Sequence, residues 1–217
     1  MYEEKEMSIL STIKSHIILF IMQSSFYEWM VIHVIPFIRI SFYYSDMCGY
    51  KYKRAYKLLK PGDIILCKDD WKLTSWLIPG ELTHACLCVD KGEYIEFEVA
   101  EMHRAGFIKS SFYDPFREST RLVILRCVDW DNTYVKQVIE RCKLFEGVPY
   151  DISFEFGVKA LYCSELIYQS DFEKRLEVSI EDLLGLGRPY ISPMGLYNAK
   201  NVDIIYDSSV DIQTMTI

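Results

Sequence analysis

Cys163 lies in the stretch Ala160-Leu161-Tyr162-Cys163-Ser164-Glu165-Leu166-Ile167-Tyr168, where Leu166 and Ile167 follow it at i+3 and i+4. That spacing is one face of a helix, so Cys163 is expected in the first turn of a helix that packs inward. Unpaired backbone N–H groups and the positive end of the helix dipole gather there, and both favour a thiolate. The same N–H groups could hold an oxyanion after the thiolate attacks a carbonyl. A free cysteine is also one of the commonest small buried residues, so the nucleophile needs a base elsewhere in the chain.

Four histidines are available. His16 and His33 fall in an apolar N-terminal region and suit packing, and His103 follows in a polar stretch (Met-His-Arg-Ala-Gly) that suits solvent. His84 opens an expected strand just after a Pro-Gly turn, a rigid mount for a base. A metal centre at His84, Cys86 and Cys88 is weighed because alternate residues share a strand face. At about 3.3 Å per residue, His84 and Cys88 are on the order of 13 Å apart, too far for one ion with ligands at about 2.0–2.3 Å. Cys86 and Cys88 are therefore expected in the core, and neither a metal nor an organic cofactor is expected.

A Cys–His pair needs a third group to fix the imidazole tautomer. The elements that must supply it are strands. Leu59-Lys60-Pro61-Gly62-Asp63 is a turn leading into an apolar strand, and Trp71–Leu77 could make a short helix. Thr83–Val89 is expected as a strand turning at Asp90-Lys91-Gly92 into a return strand, Glu93–Met102. In a regular hairpin Val89 faces Glu93 and His84 faces Glu98, with Glu96 a diagonal alternative. Glu101 falls on the opposite face unless a bulge intervenes. Arg121–Val128 reads as another strand, and Val135, Val138, Ile139, Cys142 and Phe145 as an amphipathic helix ended by Gly147. Ser179–Leu184 has a capping start, and the last 25 or so residues read as coil. Strands followed by helices make the fold class α+β.

The ordered set of these pieces resembles the circularly permuted NlpC-like, papain-like cysteine peptidases. The similarity is to their YiiX/YaeF branch, related in fold to lecithin:retinol acyltransferase. It is carried by Lys60-Pro61-Gly62-Asp63-Ile64-Ile65-Leu66, Ile78-Pro79-Gly80-Glu81-Leu82-Thr83-His84-Ala85, the acidic hairpin and Val148-Pro149-Tyr150-Asp151. Tyr162-Cys163-Ser164-Glu165-Leu166 and Ile191-Ser192-Pro193 complete it, over roughly residues 55–195. The resemblance implies a permuted papain-like fold with His before Cys: His84 as base, Cys163 as nucleophile and a hairpin acid as orienter. Glu101-Met102, Gly106-Phe107 and Phe112 match the family's spacing downstream of that acid, which favours Glu101 over Glu96 and Glu98. Tyr162 and Tyr150 are candidates to line the substrate or oxyanion site. The activity implied is a cysteine hydrolase (peptidase or amidase) acting through an acyl-enzyme. The alternatives are a thiol-dependent acyltransferase on a lipid or acyl-amine substrate, and a binding module that kept only the fold.

Composition fits this class. Half of the 217 residues are apolar, and the net charge of −7 argues against a nucleic-acid surface. Seven scattered cysteines without a CxxC pair point to a reducing, cytoplasmic setting. Two parts are expected: residues 1–54 as an apolar helical extension, and 55–217 as the papain-like domain. Within the first, residues 17–44 are apolar and aromatic but broken by Glu28, His33 and Pro36. They are expected to cover the core, to associate with a membrane or to cross one. Lys51, Lys53, Arg54 and Lys57 are expected as a solvated connection, and the partner as a peptide, amide or acyl small molecule.

Overall fold

A computed structural model describes residues 24–34, 47, 49–68, 80–91, 96–185 and 187–210. Its elements are α1 Ser25–His33, α2 Gly49–Leu58, β1 Ile64–Lys68, β2 His84–Lys91, β3 Phe97–His103 and β4 Gly106–Ser111. They continue with α3 Tyr113–Glu118, β5 Arg121–Cys127, α4 Asn132–Lys143 and α5 Cys163–Ser170. A two-stranded ribbon of β6 Glu181–Asp182 and β7 Pro189–Tyr190, then α6 Pro193–Tyr197 and β8 Val202–Asp207, completes the order. The fold is α+β, as expected.

Six strands form one antiparallel sheet in the order β4-β3-β2-β1-β5-β8. Its central strands are apolar on both faces, because both faces are covered. On one face Ile64, Leu66, Ala85, Leu87, Val123 and Leu125 meet Tyr134, Val138, Cys142, Leu166 and Ile167 of α4 and α5. On the other, Ile65, Cys67, Cys86, Cys88, Leu122 and Ile124 meet Ala55 of α2 and Phe112 and Phe116 around α3. Cys88 is thus a core residue. Helix α4 starts where the pattern predicts: the Asp131 carboxylate caps it by accepting from the N–H groups of Thr133 and Tyr134 at 2.8 and 3.0 Å.

The Pro-Gly turn forms for a local reason. Lys60 C=O accepts from Asp63 N–H at 3.1 Å, and Gly62 sits at φ +91°, where a side chain would be strained. Asp63 is buried, and its carboxylate takes a two-pronged contact from Arg126 at 2.7 and 2.8 Å, tying the turn to β5.

Four local expectations are corrected. Residues 51–57 are not a solvated connection but most of α2, whose Ala55 and Lys51 are buried. This helix runs across Arg54 and Ala55, where the boundary between the two parts was expected. Residues 179–184 hold no α-helix but a short strand and a 3₁₀ turn. The C-terminal stretch is not all coil: β8 pairs with β5 as an edge strand, polar at Asp203 and Asp207 as exposed edges tend to be. The hairpin does not turn at 90–92, since β2 runs through Lys91 and β3 begins only at Phe97. The helix expected at 71–77 lies outside the described residues, as do His16 and most of 17–44. No helix among the described residues is long and apolar enough to cross a membrane.

Candidate active site

The register of β2 and β3 decides which acid meets His84. Near the turn Lys91 pairs with Phe97 and Asp90 with Glu98; beyond it Cys88 pairs with Val99 and Cys86 with Glu101. One residue of β2, Val89, is skipped, which is a bulge. The extra residue switches the parity of pairing and turns Glu101 onto the face shared by His84 and Cys86. There Glu101 Oε2 accepts from His84 Nε2 at 2.7 Å, and Oε1 accepts from the Ser110 hydroxyl of β4 at 2.5 Å. Glu96 instead accepts from the Tyr52 hydroxyl at 3.3 Å, and Glu98 is exposed beside Asp90 and Ser111. Regular hairpin counting, which favoured these two, fails because of the bulge and the wider connection.

Gly106 fixes the β3–β4 end of the site. It has φ +96°, and a Cβ there would lie 2.6 Å from the Val148 carbonyl oxygen. The neighbouring Phe107 N–H donates to that same oxygen at 3.0 Å, so the hairpin and the 148–151 segment are held in close contact.

Cys163 is the first residue of α5, with Tyr162 as the extended N-cap. The helix packs on β2 and β3 through Leu166 and Ile167, as their spacing predicts. His84 and the N–H groups of Ala85 and Ser164 lie close enough to the Cys163 sulfur to favour its thiolate. Burial pushes this thiol up, but His84 and those donors more than offset it, so it titrates below an ordinary cysteine. Burial likewise pulls His84 down, and its hydrogen bonds to Cys163 and Glu101 carry it well above an ordinary histidine. Burial would raise Glu101, yet His84 and Ser110 hold it at about 2. With Nε2 engaged by Glu101, the ring's Nδ1 is left for Cys163. Both ionised partners of His84 stabilise an imidazolium, the signature of a thiolate–imidazolium pair.

The start of α5 is pinned to the segment 191–193. Ser164 Oγ donates to Ile191 C=O at 2.6 Å, and Ile191 N–H donates to the Tyr162 hydroxyl at 3.1 Å. Tyr162 is fully buried in a cluster with Phe154 and Tyr190, so its ring supports the wall and does not present its hydroxyl to a substrate. Tyr150 is half-buried and near enough to feel charge on Cys163, which raises its hydroxyl after burial has done most of the work. His103 ends β3 and His33 lies exposed on α1.

Three residues at the site had no site role in the sequence reading. Ser110 was hidden because β4 was unrecognised. Cys86 joins the site because its Sγ lies 3.8 Å from Glu101 Oε2, a contact across strands. Glu165, in the first turn of α5, is fully buried; its Oε1 accepts from Gly157 N–H at 2.8 Å and from the Gln169 amide at 3.4 Å. Burial, aided by Asp151, raises it to about 7. A carboxylate raised in the fold above its unfolded value of about 4.3 loses stability as pH climbs from there to about 7. Glu165→Gln removes that loss. Its stability relative to the parent should therefore improve by about 1–3 kcal/mol between pH 5 and pH 8, read by urea unfolding. A difference that stays constant with pH would contradict an uncharged Glu165.

The model of a family described as permuted papain-like amidase enzymes, YaeF/YiiX, matches residues 58–209. Among solved structures, the metalloprotein YiiX from Escherichia coli O157:H7 is similar, with a TM-score of 0.57 at 17% identity. The likeness covers 69% of this chain and 97% of that one. No curated protein matches the chain. Since the match spans well over half of the 217 residues, the chain belongs to the YaeF/YiiX family of permuted papain-like amidases, and is a cysteine hydrolase of the peptidase or amidase kind.

Proposed function

We propose that the protein cleaves a peptide or other amide bond through an acyl-enzyme on Cys163. The observation that carries this reading is one imidazole touching both the thiol at a helix start and a buried carboxylate. The Cys163 thiolate attacks the carbonyl carbon, and the bond to the amine weakens as the carbonyl oxygen gains charge. The Cys163 N–H at the α5 terminus would meet that oxyanion, with the Tyr150 hydroxyl, close enough to feel charge on Cys163, as a second donor. His84, protonated at Nδ1, gives its proton to the leaving amine; neutral, it then takes one from the water that releases the acid. Glu101 keeps the Nε2 proton in place through both steps, and Ser110 keeps Glu101 in place. The reducing, cytoplasmic setting expected from the scattered cysteines keeps Cys163 a thiol.

Intact-protein mass after brief exposure to amide, ester and lipid-acyl substrates tests this. The expected result is one acyl adduct, mapped to Cys163 and discharged by water. An adduct discharged only by an added amine or lipid acceptor would favour acyl transfer. Turnover with unmodified Cys163 would overturn the acyl-enzyme.

A further inference from the structure

His84, Cys86 and Glu101 bring three metal-ligating atoms within 4.8 Å of one another, the only such group of three or more His, Cys, Asp or Glu among the described residues. The sheet itself builds it. His84 and Cys86 are alternate residues of β2, and the bulge sets Glu101 opposite Cys86 on the same face. We propose that these three side chains form a site for a thiophilic divalent cation of the zinc type, on the side of the His84 ring away from Cys163. Nitrogen, sulfur and carboxylate oxygen together are the donor set such an ion selects.

The distances suit it after small movements. Bond lengths of about 2.0–2.3 Å in a tetrahedral shell put N and O ligands about 3.3 Å apart and S about 3.6 Å from either. The His84 Nε2 to Glu101 Oε2 separation is 2.7 Å, a hydrogen bond that must open, and Cys86 Sγ to Oε2 is 3.8 Å. Ser110 holds the other Glu101 oxygen at 2.5 Å, the kind of outer partner that orients a ligating carboxylate. The His84 side chain is 26% exposed, whereas Cys86 and Glu101 are buried.

Binding displaces the Nε2 proton of His84 and the thiol proton of Cys86, and the thiolate and carboxylate balance the ion's two charges. The one proton left on the imidazole is then on Nδ1, facing Cys163 as in the resting pair, but giving it to the leaving amine would now leave a metal-bound imidazolate, so the ring is a poor acid there. The ion would silence the hydrolase without touching its nucleophile. This effect rests on His84 as the general acid; the site itself does not.

Cobalt(II) is the probe, since a bound thiolate gives it a charge-transfer band in the near ultraviolet. The full-length protein is expected to show this band, and Cys163→Ala and Cys88→Ala to keep it. Cys86→Ala, its folding checked by circular dichroism, should lose it. In the parent protein, zinc should slow amide turnover on the order of tenfold or more, reversed by a chelator, since loss of general acid–base catalysis costs about 10²–10⁴. No band at millimolar cobalt overturns the site, as does a band lost in Cys163→Ala and kept in Cys86→Ala, which would put the ion on the nucleophile. A Cys86-dependent band in a protein whose Cys163 forms no acyl adduct leaves the site standing and removes the proposed hydrolase.

Discussion

Cys163→Ala is expected to lower amide hydrolysis by about 10⁶, to the level left by binding and the oxyanion donors alone. The worked serine-protease case loses about as much when its nucleophile is removed. The variant should stay folded, because Cys163 is small and its neighbours Leu166 and Ile167 hold α5 against the sheet. Trimming one sulfur from a buried first-turn position costs on the order of 1 kcal/mol. Steady-state kinetics with thermal unfolding separates the two effects. A folded variant with more than about one hundredth of parental kcat/KM would rule out covalent chemistry at this residue.

Glu101→Gln carries the second large effect. The amide is the same size and can still meet His84 and Ser110, but it no longer favours the Nε2–H tautomer or offsets the imidazolium. Loss of the corresponding carboxylate costs about 10⁴ in the serine-protease case, and about 10²–10⁴ in kcat/KM is expected here. Glu96→Gln and Glu98→Gln lie away from His84, and each should stay within about twofold, as surface changes do. Glu101→Gln should also weaken acid resistance. Its carboxylate, held at about 2 against an unfolded value near 4.3, adds stability above pH 4.3 that is lost as pH falls through 2. His84 works with the opposite sign: its contribution is full below about 6.5 and is lost as pH rises through its higher folded value.

Strands β1, β2, β3 and β5 and helices α4 and α5 were legible because their signals are local. The Pro-Gly turn before β1, the Asp131 cap and the apolar spacing after Cys163 each act within a few residues. What failed was long-range. The bulge at Val89 leaves no mark in composition, yet it decides which of three glutamates reaches His84. The spacing from Gly106 and Phe107 pointed to Glu101 where strand counting did not, because Gly106 marks a fixed close approach to Val148. The C-terminal strand and the basic helix α2 were missed because both are polar on their outer side and take their order from the sheet they cover. Cys86 looked like core from β2 alone. Its neighbour Glu101 comes from another strand, which spacing within one strand cannot reveal.

The central claim is that Cys163 is a thiolate made by His84. The most direct measurement is the rate of iodoacetamide labelling at each cysteine against pH, mapped by peptide mass. Cys67 is the proper rival, since its thiol is also drawn below the usual value, first by a hydrogen bond from Cys86. Both cysteines are buried, but Cys67 packs in the core under α2 and α3, whereas Cys163 lies beside the part-exposed His84. Labelling should be fastest at Cys163, with a midpoint well below the ordinary thiol value of about 8.5, and His84→Ala should return that midpoint toward 8.5. Faster labelling at Cys67, or a Cys163 midpoint near 8.5 that His84→Ala leaves unmoved, would contradict it.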